Sequence, residues 1–157
     1  TTDVSLSDIA RLVDVFYIGG TKVGALFGEA VVICNTMLLK HLYSLIKQHG
    51  ALLAKGRLLG IQFDTLFTDG LYEKMGTHGV NMALKLKEVF TTKGYELFIN
   101  SPTNQQFLLL PNELIDRLRK DVSFGMWGVR GKTHSVVRFV TSWATKPEDI
   151  DALAALL

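Results

Sequence analysis

The residues best placed to do chemistry lie in the stretch Asp14–Gly24. Val15-Phe16-Tyr17-Ile18 runs into Gly19-Gly20-Thr21-Lys22-Val23-Gly24, which sets one lysine at the crown of a glycine-flanked turn. The β-branched and aromatic residues before it suit a short buried strand. The glycines let the backbone take positive φ or let another group approach closely. A lysine in a confined, partly desolvated pocket loses its proton readily and can attack a carbonyl carbon. Spacing alone equally allows an ordinary turn lysine. The segment is not a phosphate-binding P-loop, because Gly-x-x-x-x-Gly-Lys-Ser/Thr does not occur.

A second candidate is Arg138, in the apolar run Val136-Val137-Arg138-Phe139-Val140. Strand alternation places Val136, Arg138, Val140 and Ser142 on one face and Val137, Phe139 and Thr141 on the other. Burying a guanidinium among such neighbours is costly unless an anion meets it, and its planar fork fits a carboxylate with two parallel hydrogen bonds. The anion could equally be an Asp or Glu of the chain itself, at the sheet edge. Lys55 and Arg57 lie among glycines near a helix start, a place suited to phosphate, or they are simply solvated charges. Glu29 could pair with a nearby cation. His41, His49, His78 and His134 have no metal-ligand spacing and read as surface or structural residues.

The elements that must position these residues come from a chain of 157 residues, 48% hydrophobic and 20% charged, which easily supplies a packed core. A net charge of +2 with both signs interspersed gives no basic stripe for nucleic acid. No run approaches the roughly 18 apolar residues of a membrane span, and no signal peptide opens the chain, so a cytoplasmic location is the default. The single Cys34 rules out an internal disulfide or a Cys-x-x-Cys metal cluster, and reads as a small core residue in an apolar run.

Ser5 or Ser7 can cap a helix through about Val13, followed by the strand of about 14–18 and the lysine turn. The segment 27–33 reads as a second buried strand, continuously apolar at Val31–Ile33 as expected where both sheet faces are covered. Asn35 or Thr36 caps a helix of roughly 37–48, and another covers about 58–67. A long helix spans about 71–93. Strands follow near 95–99 and 105–110, with Phe107, Leu108 and Leu110 as core. Next come a helix near 113–120, strands over 123–129 and 135–141, and a last helix opened by Lys146-Pro147-Glu148-Asp149. Residues 1–66 thus look like the end of an α/β layer, and 67–157 like a compact α+β unit of order αββαββα. The absence of an initiator Met and the shortage of strands in the first zone suggest a fragment.

The stretch Tyr17–Ala30 resembles the cofactor-lysine segment of threonine aldolases and related β-eliminating lyases of the fold-type I, pyridoxal 5′-phosphate (PLP) class. Gly50–Gly60 and Val136–Thr145 agree in order and spacing. The resemblance implies an α/β fold: the end of a PLP-dependent-transferase-like large domain over 1–66, then the small C-terminal domain over 67–157. It implies that Lys22 carries PLP covalently, that Thr21 donates to the cofactor or merely stabilises its turn, and that Lys55 and Arg57 reach a cofactor, in this family that of a neighbouring subunit. Arg138 would bind the α-carboxylate of an amino-acid substrate. The implied activity is Cα–Cβ cleavage of a β-hydroxy-α-amino acid, threonine or allo-threonine giving glycine and acetaldehyde. A β-eliminating lyase on the same scaffold and a non-catalytic remnant are the alternatives. Trp143 stands where some threonine aldolases carry a histidine. No metal is implied; the partners would be the missing N-terminal half of the subunit and further copies in a homodimer or homotetramer.

Overall fold

The computed structural model describes residues 2–157 and divides into two compact units, residues 2–72 and 73–157, each taken by itself below.

In the first unit, helix α1 (Leu6–Leu12) begins where the Ser5 side chain accepts the Asp8 N–H and the Asp8 carboxylate accepts the Ser5 N–H. This reciprocal arrangement satisfies two otherwise orphaned donors. Strand β1 (Val15–Gly19) pairs antiparallel with β2 (Glu29–Ile33), in the register Tyr17 opposite Val31. The expectation of a strand covered on both faces is not met within this unit: β2 alternates between exposed and half-buried positions, with Val31 65% exposed. Cys34, expected in the core, is half-buried and free. The helix expected over 37–48 is broken. A 3-10 turn capped by the Asn35 side chain covers Thr36–Leu39, His41 takes a left-handed conformation (φ 62°), and α2 runs only over Leu42–Gln48. Helix α3 (Arg57–Phe67) buries Phe63 and Leu66.

The second unit has the order αββαββα. It comprises α4 (Leu71–Thr92, its first two residues in the other unit), β3 (Glu96–Ile99), β4 (Gln105–Pro111), α5 (Asn112–Leu118), β5 (Gly125–Met126), β6 (His134–Val140) and α6 (Pro147–Leu156). The strands form an antiparallel sheet of order β3-β4-β6-β5. One face carries Leu108, Leu110, Val137 and Phe139, packed with Leu86 and Phe90 of α4, Leu114, Ile115 and Leu118 of α5, and Ile150 and Leu153 of α6. The period-2 burial of β4 and β6 follows from this one-sided cover. Phe107, expected in the core, lies instead on the opposite face with Arg138, its direct cross-strand partner, and packs edge-on against Trp127. Only Gly125–Met126 of the strand expected over 123–129 pairs with β6.

Candidate functional site

Lys22 lies in a 3-10 turn, Thr21–Val23, entered from β1 and closed by Gly24 in a left-handed conformation (φ 106°). Val23 and Ala25 are buried beneath the turn, while Thr21 and Lys22 are exposed. The turn can sit this low only because residue 20 is glycine: a Cβ there would lie 2.6 Å from the Ala25 Cβ and 3.0 Å from the Phe63 ring. The confined pocket expected around the lysine is not formed within this unit, because the Lys22 side chain is exposed.

Helix α3 backs the whole lysine loop. Leu59 packs so closely on Gly28 (φ 87°) that a Cβ there would fall 2.4 Å from its Cδ2. One turn on, the Gln62 side chain accepts the Leu26 N–H at 2.7 Å and donates to the Phe27 carbonyl at 3.4 Å. Phe63 meets Gly20, and beyond the helix Tyr72 donates its hydroxyl to the Gly19 carbonyl at 2.8 Å. The Tyr72 ring is itself stacked on Phe67 at 5.3 Å. The loop backbone is therefore fixed from behind, while the Lys22 amine has no hydrogen bond or ion pair among the described residues. Lys55 and Arg57 sit where α3 begins, at the Gly28 end of this contact, and both are exposed. Neither is paired among the described residues. Glu29 follows as the first residue of β2 and is exposed.

In the other unit, Arg138 stands mid-strand on the sheet face away from the helices, between Phe107 of β4 and Gly125 of β5. It is half-buried. Its Nη1 donates a long hydrogen bond, 3.4 Å, to the Gln105 Oε1, and its guanidinium carbon lies 5.5 Å from the centre of the Trp127 ring. Its Nε is buried without an acceptor. Arg138 takes no part in the ion pairs Arg11–Asp8, Lys85–Asp151 and Arg130–Asp116, and no carboxylate among the described residues pairs with it. This disposes of the alternative that Arg138 serves a sheet-edge salt bridge among the described residues. A five-donor cation holding one long bond to a neutral amide has unmet capacity for an anion.

Thr21 and Lys22 thus share one turn, Lys55 and Arg57 share one helix start, and Arg138 belongs to the second unit. The four histidines gather around no common point: among the described residues no cluster of His, Cys, Asp and Glu could hold a metal, and His78 bonds the Thr145 carbonyl at 2.8 Å. Sequence reasoning missed Gln62, Tyr72, Gln105 and Trp127. The first two act over long range and leave no local signal. Gln105 could have been found from its shared face with Phe107.

A lysine on a glycine turn followed by a helical antiparallel α+β unit defines a mixed α/β protein, and known structures place it more closely. A threonine aldolase from Leishmania major superposes with a TM-score of 0.93 at 42% identity, covering 98% of this chain and 45% of that one. In sequence, the low specificity L-threonine aldolase of Pseudomonas sp. (strain NCIMB 10558) is 30% identical over 144 residues, 91% of this chain and 41% of the relative. That of Pseudomonas aeruginosa is 31% identical over 143 residues, 90% and 40% respectively. No protein-family model matches the chain. The chain is thus a homologue of threonine aldolases, and the resemblance first read from the lysine segment is borne out over nearly its whole length. It spans about two fifths of the length of the curated relatives it matches. No helix among the described residues is long and apolar enough to cross a membrane.

Proposed function

We propose that this chain is the C-terminal part of a PLP-dependent lyase that cleaves the Cα–Cβ bond of threonine or allo-threonine to give glycine and acetaldehyde. The observation that carries the reading is the 42% identity and 0.93 TM-score to a threonine aldolase over 98% of the chain. The residues present fit the cofactor and substrate. Lys22 offers an unengaged amine on a loop whose backbone is pinned, and would hold PLP covalently. Thr21, exposed beside it, offers a hydroxyl to a cofactor oxygen, and Lys55 and Arg57 offer cations for a phosphate, at their own site or a neighbouring subunit's. When bound, PLP supplies the sink for the electron pair released as the bond at Cα breaks. Arg138 takes the α-carboxylate, which fixes the direction in which the β-carbon projects. In the net reaction the β-hydroxyl loses its proton as the Cα–Cβ bond breaks, and Cα gains one to become glycine.

The first unit exposes Leu12, Tyr17, Leu26 and Met37, each more than two thirds accessible. Together with the share of the relatives' length covered, this supports further polypeptide packed here: an N-terminal half and a second or further copy in a homodimer or homotetramer. A two-stranded hairpin is marginal alone, which points the same way. A cytoplasmic location accords with this reading.

The test is to add PLP to the full-length protein, reduce with borohydride, and map the labelled peptide. Label on Lys22 is expected; a folded, full-length protein without label there would defeat the reading. Products from threonine then decide the reaction. Glycine with acetaldehyde supports aldol cleavage, whereas a 2-oxo acid with ammonia identifies the β-eliminating alternative, for which the Trp143 substitution leaves room.

A further inference from the structure

We propose that Trp127 is a positioning residue that sets the plane of the Arg138 guanidinium and so tunes affinity for the substrate carboxylate; this rests on Arg138 being the carboxylate-binding group. Strand β5 is only two residues long, yet the chain holds register one step further, where the Trp127 N–H donates to the Val136 carbonyl at 2.9 Å. That bond places the indole on the same sheet face as Arg138, 5.5 Å from the guanidinium carbon. Phe107, directly across from Arg138 on the other side, meets the indole edge-on, with centroids 4.9 Å apart and planes at 68°. The cation is therefore flanked by an aromatic pair that is itself interlocked.

Gly125 completes the arrangement. It is the β5 partner of Arg138, and a Cβ there would only just reach Nη2 and Nε, at 3.8 and 3.9 Å. The guanidinium consequently lies across an open backbone rather than being pushed aside by a side chain. With Nη1 on Gln105, the fork keeps one orientation before any ligand arrives. Preorganisation of this kind removes an ordering cost that would otherwise reduce affinity. Trp127 remains 43% exposed, more than a side chain placed there for core packing alone would be.

The experiment uses the full-length holoenzyme and glycine as the carboxylate probe, with binding read by calorimetry and KM and kcat read on threonine. Trp127→Leu is expected to weaken glycine by about 2- to 5-fold, the range of a partly exposed cation–π contact. The kinetic loss should fall mainly on KM, and Trp127→Phe should restore most of it. In an Arg138→Gln background, Trp127→Leu should have no further effect, because its action runs through the arginine. An equal loss in that background would mark a general structural role and overturn the proposal. So would parental glycine affinity in Trp127→Leu while Arg138→Gln binds weakly. If Arg138→Gln itself binds glycine like the parent, the reading of Arg138 falls and this proposal falls with it.

Discussion

Gln105→Glu converts the single partner of the Arg138 fork into a competitor for the substrate. Gln105 Oε1 already receives Nη1 at 3.4 Å, so a carboxylate in its place needs little movement to pair. Two unit charges about 4 Å apart attract by about 4 kcal/mol at an effective dielectric constant of 20 and by about 1 kcal/mol in water. Measured exposed pairs give about 0.2–1 kcal/mol. Gln105 and Arg138 are both half-buried, so about 1–2 kcal/mol is reasonable, which converts to a 5- to 30-fold weaker carboxylate ligand. The assay is glycine calorimetry on the full-length holoenzyme, with thermal unfolding alongside. The new pair should leave the melting temperature equal or raised, which separates competition from damage. A stable variant that binds glycine as tightly as the parent would refute the assignment of Arg138 as the carboxylate clamp.

Other consequences concern the scaffold. Gly20→Ala places a methyl 2.6 Å from Ala25 and 3.0 Å from Phe63, and should cost about 1–3 kcal/mol in denaturant unfolding and reduce PLP labelling of Lys22. An unchanged midpoint with full labelling would show that the turn does not depend on this contact. The Asp116 carboxyl is held below its ordinary value by the two hydrogen bonds from Arg130, at 3.0 and 2.8 Å. A lowered folded-state pKa stabilises the fold above the unfolded value near 4, and that contribution disappears as the pH falls through the folded value. Asp116→Asn should therefore lower the melting temperature slightly near neutrality, with the difference vanishing in acid; a constant difference across the titration would contradict the linkage.

Much of the scaffold was legible because its signals are local. The Ser5 cap, the long 71–93 periodicity and the αββαββα order each follow from neighbours within a few residues. The lysine turn was legible for the same reason, since glycines at 20 and 24 answer a steric and a φ requirement respectively. Failures came where distant residues decide. Phe107 alternates correctly with Leu108, but nothing local says which face the helices cover, and the bulky aromatic went to the open face to meet Trp127. The helix expected over 37–48 carries no proline or glycine to stop it; the left-handed His41 interrupts it without a sequence warning. The role of α3 as the backing of the lysine loop rests on pairs 35 to 43 residues apart (Gln62 with Phe27 and Leu26, Phe63 with Gly20), which no window of periodicity can reveal.

The Gln62 amide grips the loop by both of its ends, taking the Leu26 N–H and giving to the Phe27 carbonyl. Leu26 is 85% exposed, so its backbone proton would ordinarily exchange with solvent within the lifetime of any small loop fluctuation. Held by a helix side chain, that proton escapes only when the grip on α3 opens. The exchange rate of one surface amide thus becomes a clock for the integrity of the platform under Lys22. Slackening anywhere along α3 would register there as faster deuterium uptake, without any change at the lysine itself.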